Sequence, residues 1–487
     1  MMKKIFTITF LSMSLFGVSQ TDKELAEQTV NQNLIKAHIG FLASDELEGR
    51  DTPSKGLKIA AKYIESRFVE YGLQQAPGID SYFQSVPMKK VSPPTSGLLK
   101  IRNESYLFQE DFIMMEGDNA EISGEYTFVN YGLDADLDGL NLEGKIAIAI
   151  CGDGESNSPQ EWFGQSTEKR KKISEMGGVA LIELYNSPQI PWQFLVRYFS
   201  GEQVVLDEGG EDESGIVHLW MNRAAKDVSQ NPGQASVMIG GAKIEKFESQ
   251  NLIGYVEGTD PKLKREFVVY SAHYDHVGVG QADAERDSIY NGSRDNAVGT
   301  VTVLTAAQNL GKNPTKRSGL FVLFTGEEKG LLGSKSFVDN SPVPLDNIVY
   351  CFNSDNGGYN DTSKATIIGL TRTTAEEMIL EACEAFGLEA IEDPAPEQGL
   401  FDRSDNVRFA AKGIPAPTFS MGFTAFDEEI TKYYHQAGDN PNTLDYVYLE
   451  KFFKSYVYAC RMIGNTKKAP FWVKGDKYYE AGKNLYE

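Results

Sequence analysis

The sequence predicts an α/β protein: a mostly parallel mixed sheet flanked by helices, interrupted by a second, β-rich segment. Three observations carry this expectation. From residue 249 onward strand-like and helix-like stretches alternate, the order that builds a parallel sheet with crossover helices. Residues 319–325 and 348–352 are apolar without alternation, as in strands buried on both faces. Between residues 120 and 248 that rhythm gives way to short strands and Gly/Asp-rich turns.

The 487 residues suit two domains, and 41% hydrophobic with 11% aromatic content is ample for a large buried sheet. The formal net charge of −22 repels nucleic-acid backbone and anionic membrane, so neither is expected as a partner. At the start, Lys3 and Lys4 precede an apolar run over residues 5–18, with Ser19, Gln20 and Thr21 at a candidate cleavage site. This reads as a signal peptide over residues 1–20 and an exported protein, periplasmic or secreted. The run is short for a spanning helix, which needs about 20 residues, so no membrane insertion is expected.

Residues 21–75 read as helices, with Ile59, Ala60, Tyr63, Ile64 and Phe68 at helical spacing and Gly72 as the stop. Residues 126–131, 145–151 and 179–184 read as strands, and 168–176 as a helix broken by Gly177 and Gly178. Residues 188–213 read as a loop whose acidic end, 207–213, is a solvated run. Strands follow at 251–256 and 266–271, a helix over 295–310, and an amphipathic tail helix over 474–486. Cys151, Cys351, Cys383 and Cys460 are widely spaced without a CxxC pattern and read as buried free thiols.

The chemistry concentrates in SAHYDHVG, SRDNAVG, FTGEEKGLLGS, NSDNGG and YYHQAGDNPNTLDY. Of five histidines in the chain, three stand here, a concentration that favours ligands over scattered surface residues. His273, Glu327, Glu328 and Asp355 fall just beyond strand ends, where α/β sheets gather ligands. Two divalent cations about 3.5–4 Å apart need a bridging carboxylate and terminal ligands on each side. Asp295 can bridge, His273 and Asp355 can serve one ion, and Glu328 and His435 the other. Glu327 is then left free as a general base, and Asp275 can accept the second N–H of His273 and fix its tautomer. Imidazole with carboxylate suits zinc, two ions per chain, though the ligand types also admit other divalent metals such as manganese or cobalt.

These motifs, in this order, resemble the M28 family of zinc peptidases, the family of bacterial leucyl-type aminopeptidases. FLASDELEGR at the start and KGIPAPTFSMG near the end extend the likeness over nearly the whole mature chain. Residues 120–248, with VNYGLDADLDGLNLEGKIAIA and GGVALIELYN, resemble the inserted protease-associated (PA) domain of one subgroup. The resemblance implies a zinc-peptidase, phosphorylase/hydrolase-like fold, with the catalytic domain at 21–119 and 249–487. It implies the same ligands, His273, Asp295, Glu328, Asp355 and His435, with Glu327 as base and Asp275 orienting. It further implies Tyr434 as a hydrogen-bond donor to the developing oxyanion and Asp405 as a lining of the substrate pocket. Arg294 stands where many relatives have Asp, and His276 is read as structural.

The expected activity is removal of N-terminal residues from peptides with a free N-terminus. A carboxypeptidase-like relative would need a basic pocket, and no Arg cluster near these motifs announces one. A glutaminyl-cyclase-like relative would use one zinc, and a non-catalytic binding relative would lack ligands, whereas none is missing here.

Overall fold

The computed structural model describes residues 20–155, 159–187, 190–208, 215–222 and 233–487. The expected signal peptide and most of the acidic run ending at residue 213 lie outside the described residues. Among those residues no helix is long and apolar enough to cross a membrane. Two compact units emerge: residues Met1–Gln84 with Asn251–Glu487, and residues Ser85–Gln250. The inserted unit therefore starts at Ser85, earlier than residue 120, because strands Ser96–Ile101, Glu104–Leu107 and Phe112–Glu116 pair within its sheet.

The first unit opens with α1 (Asp22–Thr29), α2 (Gln32–Leu42) and α3 (Lys55–Glu70). Each has a side-chain N-cap: Thr21 accepts from the Glu24 N–H, Asn31 from Asn33 and Leu34, and Ser54 from Leu57. His38 of α2 is clasped between the hydroxyls of Tyr63 (2.6 Å) and Tyr71 (3.1 Å), and burial lowers its pKa to about 4.

The unit's sheet is built mainly from β1 (Lys243–Val256), β2 (Phe267–His273), β3 (Ser318–Phe324), β4 (Ile348–Ser354), β5 (Lys364–Ile368), β6 (Glu389–Glu392) and β7 (Thr418–Met421), with the two-residue strand Gln74–Gln75 paired antiparallel to β1. Its order is β6-β5-β7-β4-β2-β3-β1. The central strands β7, β4, β2 and β3 are parallel to one another, while β1 and β5 run antiparallel to β3 and β7. Every residue of β2, β3 and β4 is buried, which is why these runs do not alternate.

Helices α4 (Gly299–Lys312), α5 (Leu332–Asp339), α6 (Glu376–Glu384), α7 (Asn406–Ala411), α8 (Tyr446–Asn465) and α9 (Tyr479–Tyr486) complete the unit. In α8, Asp445 caps the N-terminus by accepting from Val447 and Tyr448, and Phe452, Tyr456 and Ile463 are fully buried. Tyr456 stacks on Phe352 of β4 at 4.7 Å. Burying each such side chain contributes about 1.5–3 kcal/mol.

The second unit is an eight-stranded sheet. Strands Ala120–Phe128, Ile146–Ile150, Ala180–Tyr185 and Val217–Asn222 run parallel at its centre, with helix Pro159–Glu175 as a crossover. Its buried Glu183 carboxylate takes Lys169 (2.9 Å), His218 (2.8 Å) and the Trp220 indole N–H (3.1 Å), a fully partnered interior charge. Burial opposes ionisation of Glu183, but His218 and Lys169 prevail and hold it at about 2.

Three local readings need correction. Within 188–213, helix Trp192–Phe199 forms behind Pro191 because Trp192 and Leu195 share a buried face, and strand Gln203–Leu206 follows. The helix expected from Asp295 starts at Gly299, since Asp295 and Asn296 have non-helical backbone angles. The tail helix is confined to α9, preceded by the fully buried Trp472. All four cysteines are buried and free.

Candidate metal centre

Parallel strands β3, β2 and β4 lie side by side in register, so their carboxyl ends form a row. His273 is the last residue of β2, Asp355 directly follows β4, and Glu327 and Glu328 follow β3 after a turn. That turn requires Gly326 at φ 64°, a left-handed conformation that glycine adopts without steric cost.

Asp295 reaches the row from the segment before α4. Asn296 ties that segment to β4, donating to the Ser354 carbonyl (3.0 Å) and capping the Gly299 N–H (3.0 Å). Thr300 of α4 donates to the His273 carbonyl at 2.8 Å. His435 comes from a remote loop with φ 54°, a strained value for a non-glycine residue, and is held by ring stacking with Tyr434 at 4.2 Å.

The two oxygens of Asp295 face different partners. Oδ1 lies 3.3 Å from His273 Nε2, and that nitrogen is 3.2 Å from Asp355 Oδ1. Oδ2 lies 3.1 Å from His435 Nε2, which is 3.2 Å from Glu328 Oε2. One carboxylate thus spans two imidazole–carboxylate sets. Donors about 2.0–2.1 Å from a tetrahedral cation stand about 3.3 Å apart, so both sets fit the edges of such a polyhedron. Potential ligand atoms group as His273, Glu327 and Asp355, and as His276, Asp295, Glu328 and His435.

The electrostatics call for positive charge. Burial disfavours protonated imidazole, yet the neighbouring carboxylates outweigh it: His273 is pushed well up by Glu327 and Asp355, and His435 to about 10 by Asp295 and Glu328. Against burial, the histidines hold Asp295 far below the ordinary carboxylate range, and Glu328 at about 2. Cations bound there would displace the imidazole protons, making occupancy pH-dependent. Glu327 is pushed well above its ordinary value by burial and by the nearby acids Asp355, Asp405 and Glu328.

The supporting contacts differ in part from expectation. The carboxylate of Asp275 stands 3.8 Å from His273 Nδ1, whereas its backbone carbonyl is at 3.2 Å and takes the hydrogen bond. The carboxylate instead accepts the Glu327 backbone N–H (3.2 Å) and the Thr52 hydroxyl (3.4 Å), so it anchors the Glu327 turn. Burial raises Asp275 to about 6. His276 donates from Nδ1 to Glu328 Oε1 (2.8 Å), leaving Oε2 for the centre. Arg294 turns from the centre to Asp439 (2.8 Å) and stacks on Tyr433 at 3.7 Å.

A cavity of about 390 Å³ opens over these groups. Glu327, Tyr434 and His435 line it, together with an apolar wall of Leu331, Ile368, Leu400, Phe423, Phe426 and Ile430. Asp405 does not line it: the side chain is fully buried, neither oxygen has a hydrogen-bond partner among the described residues, and burial pushes its carboxyl up to about 7. Its neighbours Arg403 and Ser404 face the cavity instead.

Two supports were missed in the sequence. Arg50, buried in the quoted FLASDELEGR, donates to the carbonyls of Tyr274 (3.0 Å), Asn291 (2.7 Å), Gly292 (3.0 Å) and Leu42. It pins the lead-in turn beneath both ligand loops. Asp439 accepts the backbone N–H groups of Arg294 (2.8 Å) and Asp295 (3.3 Å) besides the Arg294 guanidinium, tying the Asp295 loop to the His435 loop. For Asp439 the available signal was a charged residue inside the Gly/Asn-rich AGDNPN, whereas Arg50 is one of four charged residues in its motif and carried none.

Residues 251–459 match the model of Peptidase family M28. Aminopeptidase YwaD of Bacillus subtilis (strain 168) is 31% identical over 312 residues, 62% of this chain and 58% of that protein. A probable leucine aminopeptidase of Arthroderma otae is 24% identical over 214 residues, covering 42% and 55%. The chain spans little more than half the length of these curated relatives. Among solved structures, an aminopeptidase from Aneurinibacillus sp. strain AM-1 is similar in fold, with a TM-score of 0.56 at 20% identity, covering 92% of this chain and 97% of that one.

Proposed function

From its membership of peptidase family M28, we propose that the chain is an exported dinuclear zinc aminopeptidase that hydrolyses N-terminal residues from peptides. The observation that carries this reading is the Asp295 carboxylate between two imidazole–carboxylate sets, with the unpaired Glu327 beside them. His273, Asp355 and Asp295 would hold one ion and Asp295, Glu328 and His435 the other. Nitrogen and oxygen donors favour zinc. The ions would polarise the scissile carbonyl and acidify water.

Glu327 is the only carboxylate of the constellation that makes no close contact with a histidine, so it is the group free to take a proton from the attacking water and return it to the leaving amine. Asp275 holds the Glu327 backbone in place. Tyr434 stands on the wall beside His435, where its hydroxyl can donate to the developing oxyanion. The apolar wall suits a peptide with an apolar first residue.

Export rests on the basic and apolar residues before position 19, and a PA-like character for the second unit on its motifs. Arg403 on the wall gives the carboxypeptidase reading one supporting cation, which blocked peptides discriminate. The test of the proton role is Glu327→Gln: turnover falls by a factor of about 10²–10⁴ while metal content stays at the wild-type level. Wild-type turnover in that variant would refute the assignment.

A further inference from the structure

The cavity wall carries four carboxylates, those of Asp295, Glu327, Glu328 and Asp355, and, besides the two imidazoles of His273 and His435, among the described residues one arginine, Arg403, and no lysine. With two divalent ions bound, the four carboxylates are balanced and the Arg403 charge is left over. Arg403 is exposed, and its hydrogen bond is to a neutral group, the Tyr434 hydroxyl, from Nη2 at 3.3 Å. Among the described residues no acidic neighbour pairs with it. Asp402 is taken by Lys477 at 2.8 and 2.9 Å, and Asp405 is buried without a hydrogen bond to it. An arginine has five N–H donors in a fork that matches a carboxylate. Because Tyr434 stacks on His435, the guanidinium stands on the His435 side of the cavity, within the space a bound peptide would fill.

We propose that Arg403 forms a carboxylate subsite, selecting peptides that carry a carboxylate close to the scissile bond. The chemistry is that of a short peptide's C-terminal carboxylate or of an acidic second residue. The inference rests on the peptidase reading, and its test separates the two.

The decisive experiment compares leucylglycine with leucylglycinamide, and leucylglutamyl amide with leucylglutaminyl amide, on zinc-loaded protein. Turnover is measured on wild type, Arg403→Gln and Arg403→Lys, and binding by calorimetry in the Glu327→Gln background with and without Arg403→Gln. The expected result is that Arg403→Gln lowers kcat/KM for one or both carboxylate-bearing peptides by about tenfold or more, chiefly through KM, with the neutral partner changed less than about twofold. Arg403→Lys should restore part of the loss. A loss on the first pair alone identifies the C-terminal carboxylate, and on the second alone the acidic side chain. Equal losses on charged and neutral partners overturn the subsite and leave Arg403 as a support for Tyr434. Absence of turnover on every peptide would refute the peptidase reading, while calorimetry would still decide the subsite: a carboxylate preference that vanishes with Arg403→Gln supports it, and none refutes it.

Discussion

Removing Asp439 should destabilise the first unit and loosen the metal centre together. Its carboxylate meets Arg294 at 2.8 Å, both side chains are almost fully buried, and it also accepts the N–H of Asp295. Breaking a buried pair leaves the surviving charge desolvated, a cost of about 3–5 kcal/mol. Arg294 keeps its contacts with Thr443 and the Tyr433 ring, so the lower end, about 3 kcal/mol, is expected for Asp439→Ala. Arg294→Met should cost a similar amount. Burial pushes the Asp439 carboxyl up against the pull of Arg294, so much of the attraction only offsets desolvation. The double variant should therefore be more stable than the sum of the singles by about 2 kcal/mol. Urea unfolding followed by far-UV circular dichroism is the assay. Three of the four tryptophans lie in the second unit, so fluorescence would mostly report the other transition. Metal retained after dialysis, read by elemental analysis, should fall in both singles. A single-variant cost below about 1 kcal/mol, or strict additivity, would refute the lock.

Asp275→Asn keeps an acceptor for the Glu327 N–H but discards the charge, and should lower kcat by about 10–100-fold with folding intact; unchanged steady-state rates would show that the carboxylate does not position Glu327. Acid should act through His38. Its pKa falls from 6.5 to about 4 on folding, so the unfolded chain binds the proton more tightly and stability is lost as pH falls from 6.5 to 4. At about 1.4 kcal/mol per pH unit the loss approaches roughly 3 kcal/mol. His38→Gln should remove that contribution, and an unaltered stability-versus-pH slope between pH 4 and 6.5 would exclude His38 as its source.

The legible parts of this molecule were those where sequence neighbours share one physical task. Buried strands β2, β3 and β4 announced themselves as unbroken apolar runs, and their carboxyl ends delivered His273, Glu327, Glu328 and Asp355 to one row. His435 was legible only through its motif, because its partners Asp295 and Glu328 stand far earlier in the chain and leave no periodicity to read. Arg50 and Asp439 escaped notice because most of their partners are groups far along the chain, many of them on the backbone. Asp405 was placed in the pocket by likeness of its loop, but burial turned Arg403 and Ser404 to the wall in its stead. The helix expected from Asp295 was displaced to Gly299 because Asn296 spends its side chain on the Ser354 carbonyl and the Gly299 N–H. Residues 85–119 lack long apolar runs, so their strands were recognisable only through their pairing with distant ones.

The proposed reaction is a metal-dependent attack on peptides with a free N-terminus. Its most direct test is hydrolysis of matched peptides, free and N-acetylated, by the purified protein before chelation, after chelation, and after zinc is returned. A zinc aminopeptidase releases the first residue from the free peptides alone, an activity abolished by chelation and restored by zinc. Release of C-terminal residues from the acetylated peptides, or undiminished activity in the metal-free protein, would contradict it.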